Sequence, residues 1–199
     1  MKKDVEKMSV FLSSFFEGAE MIEALHALSF ASEKHNGQFR DDGAPYIVHP
    51  LRMACHAIDI CVKDENIMSA ILLHDVAEDC HVLFDELPFN DRIKQIVRYV
   101  TIEYVAGEEK KETKRRYFKN MIYLPEALIV KGLDRYDNMT TMAGLGKERI
   151  IKNVKENEEF LLPLLREAEH RYPVEQRAFY LLRDEIDAVD GIYRTLLNF

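Results

Sequence analysis

An adjacent histidine and aspartate, followed one turn later by two acidic residues, are the side chains of this protein best suited to chemistry. They lie in the segment Leu72–Asp79, whose sequence is LLHDVAED. The side chains of residues adjacent on a helix point about 100° apart, so His74 and Asp75 could both bind one ion only if the ion lies against the edge of the helix. Glu78 follows them by four and three residues and would share that edge. A divalent metal would satisfy both ligands, although two such residues alone more often mark the boundary of an exposed helix face.

Two other segments make the metal interpretation more specific. Residues 35–50 read HNGQFRDDGAPYIVHP, and residues 131–141 read KGLDRYDNMTT. Together with LLHDVAED, they resemble the HD-superfamily hydrolase domain of the RelA/SpoT group, and within it the small alarmone hydrolases. The three blocks follow the family pattern in order, and the resemblance extends from about residue 25 to about residue 165.

This resemblance implies an all-α, single-domain fold, a bound Mn²⁺ ion, and hydrolysis of the 3′-pyrophosphate of (p)ppGpp. Two alternatives stay open. The substrate could be a related nucleotide such as ppApp or NADPH, or the protein could be a catalytically inactive nucleotide-binding module. A complete set of ligands and an intact acidic pair favour an active enzyme.

By position in the resemblance, four residues match the metal ligands of the family: His49, His74, Asp75 and Asp134. Two imidazoles and two carboxylates suit Mn²⁺ better than Ca²⁺, which prefers an all-oxygen shell. Asp137 is a rival carboxylate, but the spacing K-x-x-D-R-x-x-N selects Asp134.

The resemblance also assigns the acidic pair Glu78 and Asp79 to catalysis. In the family this pair stands beside the water that the metal activates, where a carboxylate can accept the proton. We expect Glu78 to be the base and Asp79 its partner.

Four further residues match substrate-binding positions of the family. Arg40 corresponds to an arginine that stacks on the purine, whereas Asn138 and Thr141 correspond to contacts with the ribose and phosphates. Arg149 corresponds to a basic residue near the phosphates. Relatives commonly carry lysine at the position of Asp41, and an anion there should weaken binding of a polyphosphate.

The charge distribution limits the classes of partner. A net charge of −8 argues against a general nucleic-acid binder. Residues 110–119, KKETKRRYFK, are nevertheless strongly basic. This segment is either a solvated helix face or a basic rim that attracts an anionic nucleotide, and the sequence leaves both readings open.

Length, apolar runs and cysteines indicate the broad class of protein. A chain of 199 residues with 47% apolar residues fits one globular domain spanning 1–199. No apolar run reaches the roughly 18 to 20 residues of a membrane span, and no signal peptide, synthetase or regulatory segment is recognisable. Cys55, Cys61 and Cys80 lack a C-x-x-C spacing and suggest reduced thiols. We therefore expect a free-standing cytoplasmic hydrolase, and the sequence leaves its oligomeric state open.

The periodicity of apolar residues is helical along the chain. A helix is predicted before Gly37, with Gly18 preceding it, and Pro50 is predicted to open the next. Asp64 should cap the helix that leads to His74. An interruption is expected near Pro163. The remaining predicted helices cover about 90–105, 112–122, 125–142, 147–171 and 174–197.

Overall fold

The computed structural model describes residues 2–142 and 144–199. The chain divides into two compact units, Met1–Thr101 and Ile102–Phe199. Within the described residues every regular element is helical, and the sole β-type pairing is an isolated bridge between Phe39 and Pro45. The predicted all-α fold is confirmed. No helix in the described part of the chain is both long and apolar enough to cross a membrane.

The first unit is built around a buried central helix. Its elements are α1 (Lys2–Gly18), α2 (Ile22–Lys34), α3 (Val48–Asp59), α4 (Glu65–Leu73), α5 (Val76–Asp79), a 3-10 turn (Phe84–Glu86) and α6 (Asp91–Val100). The α4 helix packs against α2, α3 and α6, and every residue from Ile67 to Leu73 is buried. Burial on all sides explains why this helix is apolar around its circumference.

One predicted helix cap and one helix that was not predicted can be compared with the structure. Asp64 caps α4 as expected, because its carboxylate accepts a hydrogen bond from the Ile67 N–H at 3.0 Å. The α1 helix was not among the predicted helices. Its Leu12 and Phe16 are one turn apart and completely buried, and α1 packs on α2 and α3.

The segment LLHDVAED is not one helix, so the continuous helix predicted across it is wrong. The α4 helix ends at Leu73, His74 and Asp75 form a turn, and α5 begins at Val76. The His74 ring nitrogen Nδ1 lies 2.8 Å from the carbonyl oxygen of Ile71. That oxygen is one of the last four carbonyls of α4, which have no partner within the helix. The histidine side chain therefore satisfies a carbonyl at the helix end.

The second unit consists of five α-helices and a π-helical turn in its described part. They are α7 (Lys110–Met121), α8 (Pro125–Thr141), α9 (Lys147–Glu156), the π turn (Asn157–Leu161), α10 (Leu162–Arg171) and α11 (Gln176–Leu197). The predicted interruption near Pro163 is present in a different form. The chain stays helical, but the π turn directly precedes α10, which carries Pro163 in its first turn. Proline is tolerated there because it has no N–H to leave unpaired.

Close packing fixes α8 against α11. A Cβ atom added to Gly132 would lie 2.9 Å from the Leu182 side chain, nearer than real Cβ contacts come. Glycine therefore lets the two helices approach at this point, and Asp134 lies two residues further along α8. The end of α8 is held by a second contact, since the Tyr193 hydroxyl of α11 donates to the Met139 carbonyl at 2.9 Å.

A buried acid joins the π turn to α11. Asp190 is completely buried, and both of its carboxylate oxygens lie 3.0 Å from the Asn157 side-chain nitrogen. Burial raises the pKa of Asp190 to about 6, against the lowering effect of the Asn157 hydrogen bond. The Asn157 side-chain oxygen is also buried and has no hydrogen-bond partner among the described residues. The charged carboxylate is therefore poorly matched to this site.

We predict that Asp190→Asn stabilises the protein above pH 6. The folded state holds the Asp190 proton more tightly than the unfolded state, so the free energy of unfolding should fall as pH rises from about 4 to about 6. The amide that replaces the carboxylate does not titrate, so the variant does not lose this stability, and its free energy of unfolding at pH 8 should be higher by an amount on the order of 2 kcal/mol. Urea unfolding at pH 4, 6 and 8 measures the free energy of unfolding of both proteins. The exposed Asp184→Asn on α11 is the control, and an equal effect of both variants would contradict the assignment.

Candidate active site

Three of the predicted metal ligands come together in the first unit. His49 lies in the first turn of α3 and His74 directly after α4, and their imidazoles are 1% and 5% exposed. The Asp75 Oδ2 atom lies 3.0 Å from His74 Nε2 and 3.8 Å from His49 Nε2. The structure thus gathers two imidazole nitrogens around one carboxylate oxygen.

The hydrogen bond at the other side of the His74 ring indicates which nitrogen is available to a ligand. Because Nδ1 faces the Ile71 carbonyl, it must carry the proton of the neutral ring. The lone pair then lies on Nε2, the nitrogen that points to Asp75. A backbone carbonyl behind a histidine ligand is a common way to fix its tautomer and orientation in metal sites. The donor set therefore fits a divalent cation.

Tyr46 links the loop before α3 to this cluster. Its hydroxyl donates to Asp75 Oδ2 at 2.5 Å, and its ring is stacked on His35 and edge-on to His49. Burial and then the negative charge of Asp75 raise the pKa of Tyr46 above its usual range, so the phenol stays protonated and can donate. The hydrogen bond connects residues 29 positions apart, and no sequence signal pointed to it.

The residues Gln38 and His35 hold the same loop to the end of α5. The Gln38 side-chain amide donates to the Asp79 carbonyl at 3.2 Å, and its oxygen lies 2.7 Å from His35 Nδ1. Cys80 adjoins this pair, with its sulfur 3.6 Å from His35 Nδ1. These contacts give the sequence HNGQ at residues 35–38 a structural role.

The acidic pair lies on α5 within reach of solvent. Glu78 and Asp79 are both exposed, in contrast to the two buried histidines. Asp79 also contacts the Tyr46 hydroxyl, since a hydrogen bond between them contributes to the raised pKa of that phenol. A base that accepts a proton from water needs such access.

A tight turn presents Arg40. Its N–H donates to the Ala44 carbonyl at 2.8 Å, and its carbonyl accepts from the Gly43 N–H at 2.9 Å. Asp42 closes the turn by accepting from the Ala44 N–H at 2.9 Å, and Gly43 takes a positive φ of 80°. Asp42 therefore has a structural reason to be acidic. Asp41 is exposed next to the half-buried Arg40.

In the second unit, α8 carries the fourth predicted ligand. Asp134 is buried, and its Oδ2 atom lies 2.6 Å from the Lys131 ammonium. The Asn138 side-chain amide donates to its other oxygen. Burial alone would lower the pKa of Lys131, but the charge and hydrogen bond of Asp134 together with Tyr117 raise that pKa overall. Lys131 and Asn138 each bond one oxygen of the Asp134 carboxylate and so fix its orientation.

The remaining predicted substrate residues lie on α8 and α9. The Thr141 hydroxyl donates to the Asp137 carbonyl at 2.8 Å. Arg149 is exposed in the first turn of α9, and its carbonyl accepts from the Asn153 side chain at 2.8 Å. Their contacts with a nucleotide stay predictions.

An ionic network lies beside Asp134. The buried Arg135 binds Asn153 and Glu156 of α9, and Glu156 also binds Lys114 of α7. The basic segment 110–119 is therefore partly neutralised within its own unit. Arg116 is paired with Glu108 at 2.9 Å.

A model of the HD domain family matches residues 27–159 of this chain, which is more than half of it. The chain belongs to the HD domain family. Membership implies a divalent metal ion, and the resemblance to the RelA/SpoT hydrolase domain is confirmed. The matched range includes the predicted residues of both units.

Several curated relatives of this chain are named as enzymes that hydrolyse (p)ppGpp. This HD domain is 34% identical over 170 residues to the guanosine-3′,5′-bis(diphosphate) 3′-pyrophosphohydrolase of Aquifex aeolicus, covering 82% of this chain and 23% of the relative. It is 27% identical over 166 residues to the bifunctional (p)ppGpp synthase/hydrolase SpoT of Escherichia coli, covering 80% of this chain and 24% of the relative. The chain thus spans about a quarter of these relatives.

A solved structure has a similar fold. It belongs to a metazoan ortholog of SpoT described as hydrolysing ppGpp, with a TM-score of 0.68 and 25% sequence identity. The alignment covers 84% of this HD domain and 93% of the metazoan chain. The likeness therefore includes nearly all of that protein.

We predict that Tyr46→Phe weakens Mn²⁺ binding about 10- to 100-fold, because Asp75 loses the hydrogen bond that orients it. Isothermal titration calorimetry with Mn²⁺ measures the dissociation constant. Tyr99→Phe, on α6 of the same unit, should leave it unchanged. Equal affinities for Tyr46→Phe and the unaltered chain would show that the hydroxyl does not position a metal ligand.

Proposed function

We propose that this HD domain is a metal-dependent guanosine-3′,5′-bis(diphosphate) 3′-pyrophosphohydrolase. It would convert ppGpp or pppGpp to GDP or GTP and pyrophosphate. The observation that carries the proposal is the cluster of the buried His49 and His74 with the half-buried Asp75, which accepts a hydrogen bond from Tyr46. The names of the curated relatives and the description of the metazoan structure support this substrate.

We propose Mn²⁺ as the ion and His49, His74, Asp75 and Asp134 as its ligands. The mixture of imidazoles and carboxylates supports a borderline cation of this kind. The first three proposed ligands lie together in the first unit, and in the second unit Asp134 is buried and bonded to Lys131. We also propose that the two units form one catalytic domain, which the extent of the family match supports.

When bound, the ion would lower the pKa of a water molecule and polarise a phosphoryl oxygen. Glu78 then accepts the proton of the attacking water, with Asp79 as its partner. The water oxygen bonds to the phosphorus next to the ribose 3′-oxygen. The bond between that phosphorus and the 3′-oxygen breaks, and the 3′-oxygen takes a proton from solvent and leaves as a hydroxyl, while Glu78 returns the proton that it accepted to solvent. Tyr46 keeps Asp75 in place throughout, because its own proton is not released at neutral pH.

Arg40, Asn138, Thr141 and Arg149 are the proposed nucleotide contacts. The guanidinium plane of Arg40 would stack on the purine, a contact that lysine makes poorly. Asn138 would combine two tasks, because it already holds Asp134. Arg149 is exposed and can meet a phosphate.

A second candidate is a phosphohydrolase of a related nucleotide such as ppApp or NADPH. Of these, Asp41 favours NADPH, because its carboxylate beside Arg40 repels the 3′-pyrophosphate of ppGpp or ppApp more strongly than the single ribose phosphate of NADPH. The metal ligands and acidic pair serve either substrate. We further propose a cytoplasmic location, which the three free cysteines support.

We expect the chain with Mn²⁺ to hydrolyse ppGpp in preference to ppApp and NADPH, and His74→Ala to lose both metal and turnover. Ion-exchange chromatography of the products measures turnover, and elemental analysis measures the bound metal. His26→Ala, exposed on α2, is the control. A His74→Ala protein with normal metal content and turnover would refute the site, and exclusive turnover of another nucleotide would establish the second candidate.

Glu78→Gln should retain Mn²⁺ and lose about 10²- to 10⁴-fold in kcat, since general-base help is worth that much. Single-turnover kinetics at saturating metal, with metal content measured in parallel, tests this. Glu33→Gln on the exposed face of α2 should behave like the unaltered chain. Loss of metal together with activity would make Glu78 a ligand instead of a base.

Arg40→Ala should raise KM for guanosine and adenosine substrates alike, roughly tenfold, with a smaller change in kcat. Stacking accepts either purine because both present a π-face. Steady-state kinetics on ppGpp and ppApp compare the two, with Arg166→Ala, exposed on α10, as the control. Loss of activity on one purine alone would make Arg40 a specificity determinant.

A further inference from the structure

A groove in the second unit carries positive charge that the proposed hydrolytic reaction does not use. It lies between α7 and α9 and has a volume of about 600 Å³, within the usual range for small-molecule sites. Five lysines line it: Lys110, Lys111 and Lys114 from α7, and Lys152 and Lys155 from α9. None of its lining residues is a candidate metal, catalytic or substrate-binding residue.

The lysines of this groove exceed its acids. Three glutamates also line it, and two of them neutralise neighbours, since Glu159 lies 3.1 Å from Lys111 and Glu156 binds Lys114. Within the described residues, no carboxylate is paired with Lys110, Lys152 or Lys155. The groove thus keeps a net positive charge.

The most buried lysine of the groove lies among other cations. Burial is the main cause that lowers the pKa of Lys114, and the positive charges of Lys152 in the groove and of Arg135 and Lys131 outside it lower it further. An anion in the groove would relieve the repulsion between Lys114 and Lys152.

An aromatic ring lies next to the lysines. Phe160 lines the groove, and one face of its ring is stacked on Phe118 with centroids 5.3 Å apart and planes within 1° of parallel. The ring is half-buried, so part of it is open to a ligand. An aromatic face beside several ammonium groups matches a nucleotide, whose base stacks while its phosphates meet the cations.

We propose that the α7–α9 groove is a second site, which binds a nucleoside di- or triphosphate. Lys110, Lys152 and Lys155 hold the phosphates, and Phe160 stacks on the base. This inference goes beyond the proposed hydrolysis, because it assigns a ligand to a surface outside the hydrolytic site. ATP is a suitable probe, since it has no 3′-pyrophosphate and is not a substrate of the proposed reaction.

The test is calorimetric titration of the full chain with ATP. Lys110→Glu/Lys155→Glu replaces one groove lysine on each helix. The matched control, Lys119→Glu/Lys147→Glu, replaces one exposed lysine on each of the same helices outside the groove and changes the net charge equally. We expect the groove variant to bind ATP about tenfold or more weakly, because each charge-assisted hydrogen bond between a lysine and a phosphate contributes to the free energy of binding. The control should bind ATP as the unaltered chain does.

Phe160→Leu separates nucleotide recognition from simple anion binding. It should weaken ATP about fivefold or more through lost stacking, while tripolyphosphate, which has no base, should bind unchanged. Circular dichroism confirms that each variant is folded.

Three results would overturn the second site: no saturable ATP binding by the unaltered chain, the same affinity in both double variants, or unchanged affinity in the groove variant. Unchanged ATP binding by Phe160→Leu would overturn the nucleotide assignment and indicate an acidic peptide or a simple polyanion. Turnover of ppGpp is measured on the same samples. Normal turnover without ATP binding refutes the groove alone, whereas ATP binding without turnover refutes the proposed hydrolysis alone.

Discussion

The carboxylate of Asp75 is the group on which the candidate site in the first unit depends. Its Oδ2 atom accepts the Tyr46 hydroxyl and faces the Nε2 atoms of His74 and His49. An ionised carboxylate beside two buried rings is stable only when hydrogen bonds and an opposite charge compensate its lost hydration. Tyr46 supplies the hydrogen bond, and a cation would supply the charge. The Asp75 carboxylate can make these contacts only when three segments are correctly positioned: the loop before α3, the end of α4 and the start of α5.

The end of α4 also serves this group. His74 directly follows the last residue of α4, and its ring faces Asp75 Oδ2 through Nε2 and the Ile71 carbonyl through Nδ1. The same side chain thus satisfies a helix end and belongs to the candidate site, so local stability and site geometry come from one contact.

Features that depend on near neighbours in sequence were predictable, and those that depend on distant partners were not. The Asp64 cap needs only a residue three positions away. The four candidate metal ligands came from the family pattern, but the Tyr46 hydrogen bond joins residues 29 apart and the Asn157–Asp190 pair joins residues 33 apart. The break at His74 was not predicted, because helical periodicity continues through it. The π turn was not predicted either, because its first residue, Asn157, bonds to Asp190 of another helix.

The close contact between Gly132 and Leu182 has a practical consequence for where the domain ends. The family match stops at residue 159, whereas Leu182 belongs to α11, which spans Gln176–Leu197. Because α8 carries Asp134 and rests on α11, the C-terminal helix supports a proposed ligand although it contains none. A recombinant fragment trimmed to the boundary of the family match would retain every predicted ligand and remove the surface against which one of them is held.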